Sequence, residues 1–330
     1  MRALVTEPGV GHSTRVEEIP EPDGGTLLRV LEVGVCGTDR EIAHGLFGNA
    51  PPDAQTLVLG HEVLAEVVET GELVTATVRR SCRNCFACDE GAPDSCLTGD
   101  YEERGITRLN GFACELVAED PAQLIPVPRA LGRLGVLAEP TSICERALRH
   151  ARTIGNREPW RLQRALVLGA GSVGSLTTLL LRLDGVDVTV ASLEPEAPVV
   201  EAAGATYAHV DDLDELGTFD LVVEAAGNAQ LAARCLGLLR RSGVACLLGI
   251  DGRPQQVQVD GPTLALQTIL QNHVLFGSVN AHRQDWEQGI ADLARLDPDL
   301  LRALIGRRVP LEDYEQALEF RGGKATLVIA

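Results

Sequence analysis

Lysine is almost absent from this 330-residue chain and occurs only as Lys324. Arginine carries the rest of the positive charge, a skew that a GC-rich genome or adaptation to salt would each produce. The 29 basic residues face 47 acidic ones, and the formal net charge is −18. With no lysine- or arginine-rich run to offset it, that charge would repel a phosphate backbone and argues against nucleic-acid binding. No apolar stretch reaches the roughly 18 residues of a membrane span. Residues 1–7 move straight into a strand-like pattern without the apolar core of a signal peptide, so a soluble cytoplasmic protein is expected. Internal repeats and low-complexity segments are missing too. What the chain does have is 45% hydrophobic and 23% charged residues, enough to bury the cores of two domains. Four of its nine cysteines crowd between Cys82 and Cys96. Without an export signal, these read as metal ligands in a reducing compartment rather than as disulfides.

Between Glu158 and Asn280 short apolar runs alternate with helix-like segments. The runs Ala165–Leu168, Val186–Ala191, Tyr207–Val210, Phe219–Glu224, Gly243–Ile250 and Val274–Val279 predict six strands of a doubly wound parallel sheet, an α/β dinucleotide fold. Before them, Leu27–Val35, Val63–Val68 and Phe112–Val117 are β-branched or alternating runs separated by Gly- and Pro-rich turns, which predicts an antiparallel, barrel-like domain. Leu137–Arg152 reads as a linking helix, with the domain boundary near residue 140. Two helical stretches, Trp286–Leu296 and Leu311–Phe320, precede a last strand at Ala325–Ile329.

Gly169-Ala170-Gly171-Ser172-Val173-Gly174 follows the first of the six strands and opens a helix through Leu183. In that setting the glycines let the turn and the helix N-terminus approach a pyrophosphate, so Gly169, Gly171, Ser172, Val173 and Gly174 are cofactor-binding candidates. Where the second strand ends, Ser192 can hydrogen-bond a ribose, and Glu194 would repel a 2′-phosphate with no arginine beside it. That leans toward NAD over NADP. Ala226, Gly249 and Ser278 are further cofactor-contact candidates. Cys82, Cys85, Cys88 and Cys96 have the spacing C-x2-C-x2-C-x7-C, which folds one loop around a tetrahedral, closed and therefore structural zinc. Cys36-Gly37-Thr38-Asp39 and Gly60-His61-Glu62 offer thiolate, imidazole and carboxylate, a set that suits a zinc with an open coordination position. Cys114, Cys144, Cys235 and Cys246 lie in apolar patterns and read as buried thiols.

Taken together these residues resemble the zinc-dependent medium-chain dehydrogenases, the alcohol dehydrogenase superfamily, over essentially the whole chain. The segments Cys36–Ile42, Arg79–Cys82, Tyr101–Ile106, Gly111-Phe112, Asn156–Trp160 and Gly277–Ala281 are similar to the glucose dehydrogenase branch. The resemblance implies a GroES-like β-barrel catalytic domain from residues 1–140 and 281–330 and a Rossmann domain from residues 141–280. It also implies a catalytic zinc on Cys36 and His61 with a carboxylate from Glu62 or Glu139, Asp39 orienting the imidazole, and Thr38 relaying the hydroxyl proton. Glu115, Glu139 and Asn280 resemble sugar-contacting positions. The implied reaction is oxidation of the anomeric hydroxyl of an aldose, glucose or a close relative, to a lactone, with NAD or NADP as acceptor. The implied assembly is a homodimer or homotetramer.

Two departures qualify the likeness. Residues 67–74 are shorter than the family usually has between the histidine strand and the cysteine lobe. Ile143 stands where some sugar dehydrogenases carry an acid. A polyol, cyclitol or secondary alcohol is therefore the alternative substrate. A non-catalytic nucleotide-binding redox sensor is the second alternative, though it would not need Cys36, Thr38 and His61 together.

Overall fold

Buried side chains run almost unbroken through the second half of the ten-residue strand Thr26–Val35, as expected of a strand covered on both faces. The computed structural model describes residues 1–250 and 256–330. Its first unit comprises Met1–Ser142, Asn280–Arg295 and Ile305–Ala330. In its main sheet Thr26–Val35 lies between Glu62–Val67 and Lys324–Val328, both antiparallel to it. Leu73–Ala76 and Leu124–Pro126 extend one side and Ile305–Pro310 the other, while Leu116–Glu119 pairs with the early half of Thr26–Val35. Leu28, Val30, Val33, Val63 and Ala65 of this sheet are buried in one core together with Phe112. Each fully buried aliphatic side chain there contributes roughly 1.5–3 kcal/mol.

The expected strand Phe112–Val117 is only partly one: the ladder starts at Leu116. Phe112 and Ala113 instead donate their N–H groups to the carbonyls of Gly60 and Leu59. Two irregular backbone segments cross there, so closely that a Cβ on Gly111 would lie 2.3 Å from the Leu59 oxygen. Tertiary backbone contact overrides strand propensity at that point.

The second unit comprises Ile143–Val279 and Leu296–Leu304. Its six strands run in the order Thr206–His209, Asp187–Ser192, Arg164–Leu168, Phe219–Glu224, Leu239–Leu247, Val274–Gly277, and every pairing is parallel. The order reverses at Arg164–Leu168, the switch point where doubly wound sheets bind ligands. The fifth strand begins and ends earlier than its apolar run suggested, at Leu239 and Leu247. Residues 298–304, expected with the catalytic domain, form the helix Pro298–Leu304 and fall in this unit, where Leu301 and Leu304 are buried. Among the described residues no helix is long and apolar enough to cross a membrane.

Candidate active site

Three neighbouring strands of the first unit place the metal-ligand candidates. Cys36 follows the end of Thr26–Val35, His61 precedes the start of Glu62–Val67, and Lys324 begins the strand on the other side. The register sets Gly34 opposite Glu62 and Val35 opposite Ala325, so all these residues gather at one end of the sheet. Ligand atoms of Cys36, His61 and Glu62 lie within 4.8 Å of one another. That soft-and-hard donor set, preassembled and largely buried, fits a zinc ion.

Asp39 ties the two loops together. Its Oδ2 accepts the Cys36 N–H at 2.8 Å and its Oδ1 the Gly60 N–H at 3.3 Å, while Oδ1 also faces His61 Nδ1 at 3.3 Å. Burial disfavours the Asp39 charge, but the imidazole and the Cys36 N–H outweigh it and hold the carboxyl below its usual range. Burial likewise opposes a charged His61, and Asp39 and Cys36 outweigh it and hold the imidazole well above its ordinary pKa. Thr38 stands in the first turn of the helix Gly37–Ala43, its Oγ1 3.8 Å from Cys36 Sγ.

Glu62 has a partner that sequence reasoning missed. Lys324 Nζ donates to both its carboxylate oxygens, at 2.6 and 2.7 Å, with both side chains buried. The available signal was compositional, since the only lysine of the chain is the one buried here. Gly34 makes room for the pair, as a Cβ there would lie 1.9 Å from Glu62 Oε2. Glu139 is buried near the same charges, and burial followed by the Glu62 charge pushes its carboxyl up to about 7. It is not one of the three converging donors.

The four lobe cysteines also converge. Cys85 and Cys88 sulfurs are 3.5 Å apart, Cys96 and Cys82 3.4 Å, and Cys82 and Cys88 4.0 Å. Backbone N–H groups of Asn84 and Leu97 donate to Cys82 and Cys85, and such donors favour thiolates over thiols. The set fits a closed tetrahedral zinc. Cys114, Cys144, Cys235 and Cys246 are buried thiols, as expected.

In the second unit the helix Ser172–Leu183 starts directly after Gly171. A Cβ on Gly174 would sit 2.0 Å from the Gly169 oxygen, whereas one on Gly171 would meet nothing within 4 Å. Gly174 thus serves helix packing and Gly171 leaves space in front of the helix N-terminus, the arrangement a pyrophosphate requires. Val173 lies in the first helical turn, where its carbonyl accepts from Thr177. Ala226 packs against Gly169, and a Cβ on Gly249 would lie 2.0 Å from Gly227 N, so the turns after the fourth and fifth strands touch. Ser278 follows the last strand, and its hydroxyl is buried without a partner among the described residues. Ser192 and Glu194 meet at the end of the second strand, Oγ to Oε2 at 2.5 Å.

The sugar-contact candidates fare differently. Glu115 is engaged by Arg2, whose N–H donates to Oε2 and whose guanidinium pairs with Oε1 at 2.7 Å. Asn280 is buried with φ +65°, and its Nδ2 has no partner among the described residues. Its Oδ1 accepts the Ala281 N–H at 2.8 Å, which leaves Nδ2 as the unused half of the amide.

Residues 132–330 match the family model described as glucose dehydrogenase C-terminus, and residues 22–129 match the alcohol dehydrogenase GroES-like domain. The chain belongs to the glucose dehydrogenase family. It is 39% identical to the glucose 1-dehydrogenase of Methanocella arvoryzae over 97% of this chain and 96% of that protein. The glucose 1-dehydrogenase of Thermoproteus tenax is also 39% identical, over 96% of this chain and 95% of the other. Among solved structures, the Haloferax mediterranei glucose dehydrogenase in complex with NADP, Zn and gluconolactone superposes with a TM-score of 0.93 at 30% identity, covering 100% of this chain and 99% of that one. As a family member the chain is a zinc-type, NAD(P)-dependent dehydrogenase with a GroES-like and a Rossmann domain.

Proposed function

We propose that this glucose dehydrogenase family member oxidises the anomeric hydroxyl of an aldose, glucose or a close relative, to the lactone and passes the hydride to NAD. The convergence of Cys36, His61 and Glu62 at one end of three strands carries the reading. Cys36 and His61 would hold the catalytic zinc with Glu62 as carboxylate, and Glu139 stands by as a second acid. Zinc, when bound, supplies Lewis acidity that lowers the pKa of a hydroxyl, and the nicotinamide supplies the hydride acceptor. Asp39 fixes the ring orientation of His61, Thr38 takes the substrate proton outward, and Asn280 Nδ2 donates to a sugar oxygen. Gly169, Gly171, Ser172, Val173 and Gly174 cradle the pyrophosphate, Ser192 and Glu194 meet the adenosine ribose, and Ala226, Gly249 and Ser278 line the remaining cofactor path. The other four cysteines hold a structural zinc. The lactone bound to the Haloferax mediterranei relative supports the substrate class.

The engagement of Glu115 with Arg2 favours one other reading. With that carboxylate held elsewhere and Ile143 in place of an acid, a polyol or cyclitol would lose fewer contacts than glucose. The exposed side chains of Ile269, Leu270 and Leu275, on and beside the edge strand Val274–Gly277, support pairing with a second copy as a homodimer or homotetramer. Nine unpaired cysteines fit the reducing cytoplasm. Cys36→Ser tests the reading: aldose oxidation falls at least about a hundredfold with loss of one zinc equivalent. Unchanged turnover would sink it.

A further inference from the structure

At the end of the second strand of the nucleotide-binding unit, three side chains share a small hydrogen-bonded corner. Ser192 Oγ lies 2.5 Å from Glu194 Oε2 and 2.8 Å from Tyr207 Oη, and Tyr207 Oη also donates to the Glu194 carbonyl. Tyr207 comes from the adjacent strand Thr206–His209, in register with Val190. Ser192 is buried, and Glu194 has no cationic partner among the described residues.

A count of protons shows what this corner can receive. The two hydroxyls bring one proton each, while the Glu194 carboxylate and carbonyl bring none. Three oxygen–oxygen contacts therefore share two protons, and one contact has no donor. An incoming hydroxyl adds a third proton that it can donate to the Glu194 carboxylate, which eases the shortage. A phosphate dianion has no proton to offer and sets its charge against an unpaired carboxylate.

We propose that Tyr207 is a specificity-determining residue that holds Ser192 and Glu194 as a proton-poor corner, one that accepts the ribose diol of NAD and rejects the 2′-phosphate of NADP. The proposal rests on the reading that the second unit binds NAD, and on the general rule that the end of this strand meets the adenosine ribose. Tyr207 acts through its neighbours: its hydroxyl fixes the Glu194 backbone and orients Ser192.

The test is a fluorescence titration of the zinc-loaded protein with NADH and with NADPH, for the natural chain, Tyr207→Phe and Glu194→Gln. Circular dichroism and zinc content check that each variant is folded. The natural chain is expected to bind NADH more tightly. Tyr207→Phe should weaken NADH about fivefold and leave NADPH within about twofold, as loss of one hydrogen bond predicts. Glu194→Gln should narrow the preference mainly by improving NADPH binding. If the natural chain prefers NADH and Tyr207→Phe keeps the same ratio, the role of Tyr207 is overturned and the cofactor reading stands. If the natural chain prefers NADPH, the cofactor reading falls and this proposal with it.

Discussion

Asp39 and Lys324 show how single side chains hold the candidate metal centre in place. Asp39 accepts from the Cys36 and Gly60 backbones and faces His61, so one carboxylate joins two loops that must stay together. Lys324 neutralises Glu62 in a space with almost no solvent. Removing one member of such a buried pair leaves an uncompensated charge and costs about 3–5 kcal/mol. Lys324→Met should therefore lower the unfolding free energy obtained from urea titration by an amount of that order, and a second change, Glu62→Gln, should restore most of it. Wild-type stability in the single variant would show that Glu62 does not depend on Lys324.

At the level of elements, the parallel sheet was the most legible part of the sequence. Its strands are continuous apolar runs because helices cover both faces, and the glycine turn falls between a strand and a helix as the motif requires. The barrel-like half was less legible. Gly60 and Gly111 permit backbone crossings that no periodicity announces, so Phe112–Cys114 read as strand while serving as a brace for the His61 loop. Cys36, Thr38, Asp39 and His61 were legible as a group through their neighbours in sequence. Lys324 was not, because it lies 262 positions from Glu62 and only strand register brings them together. Tyr207 was visible only as the start of an apolar run. The four-cysteine lobe has little apolar sequence of its own, and its order should come from metal. Cys85→Ser should lose one zinc equivalent by metal analysis and make the lobe more open to limited proteolysis. Retention of full zinc and protease resistance would contradict the structural role.

Across the whole molecule, a net charge of −18 means that like charges repel one another in the folded state. Salt screens that repulsion over about 10 Å at 0.1 M and shorter distances above it. The melting temperature should therefore rise by about 5 °C or more between low salt and about 1 M KCl. A flat or falling curve would show that the acidic excess is already offset by its arginine partners. The same charge disfavours polyanions as partners and is compatible with a small neutral substrate. That substrate class is the central claim, and reduced-nicotinamide absorbance tests it most directly, followed for the zinc-loaded protein with NAD and with NADP across glucose, galactose, xylose, an inositol and simple alcohols. Rapid reduction of NAD with an aldose, and slow or no reduction with the inositol and the alcohols, is the predicted result. Turnover of the inositol or an alcohol with none on any aldose would contradict it.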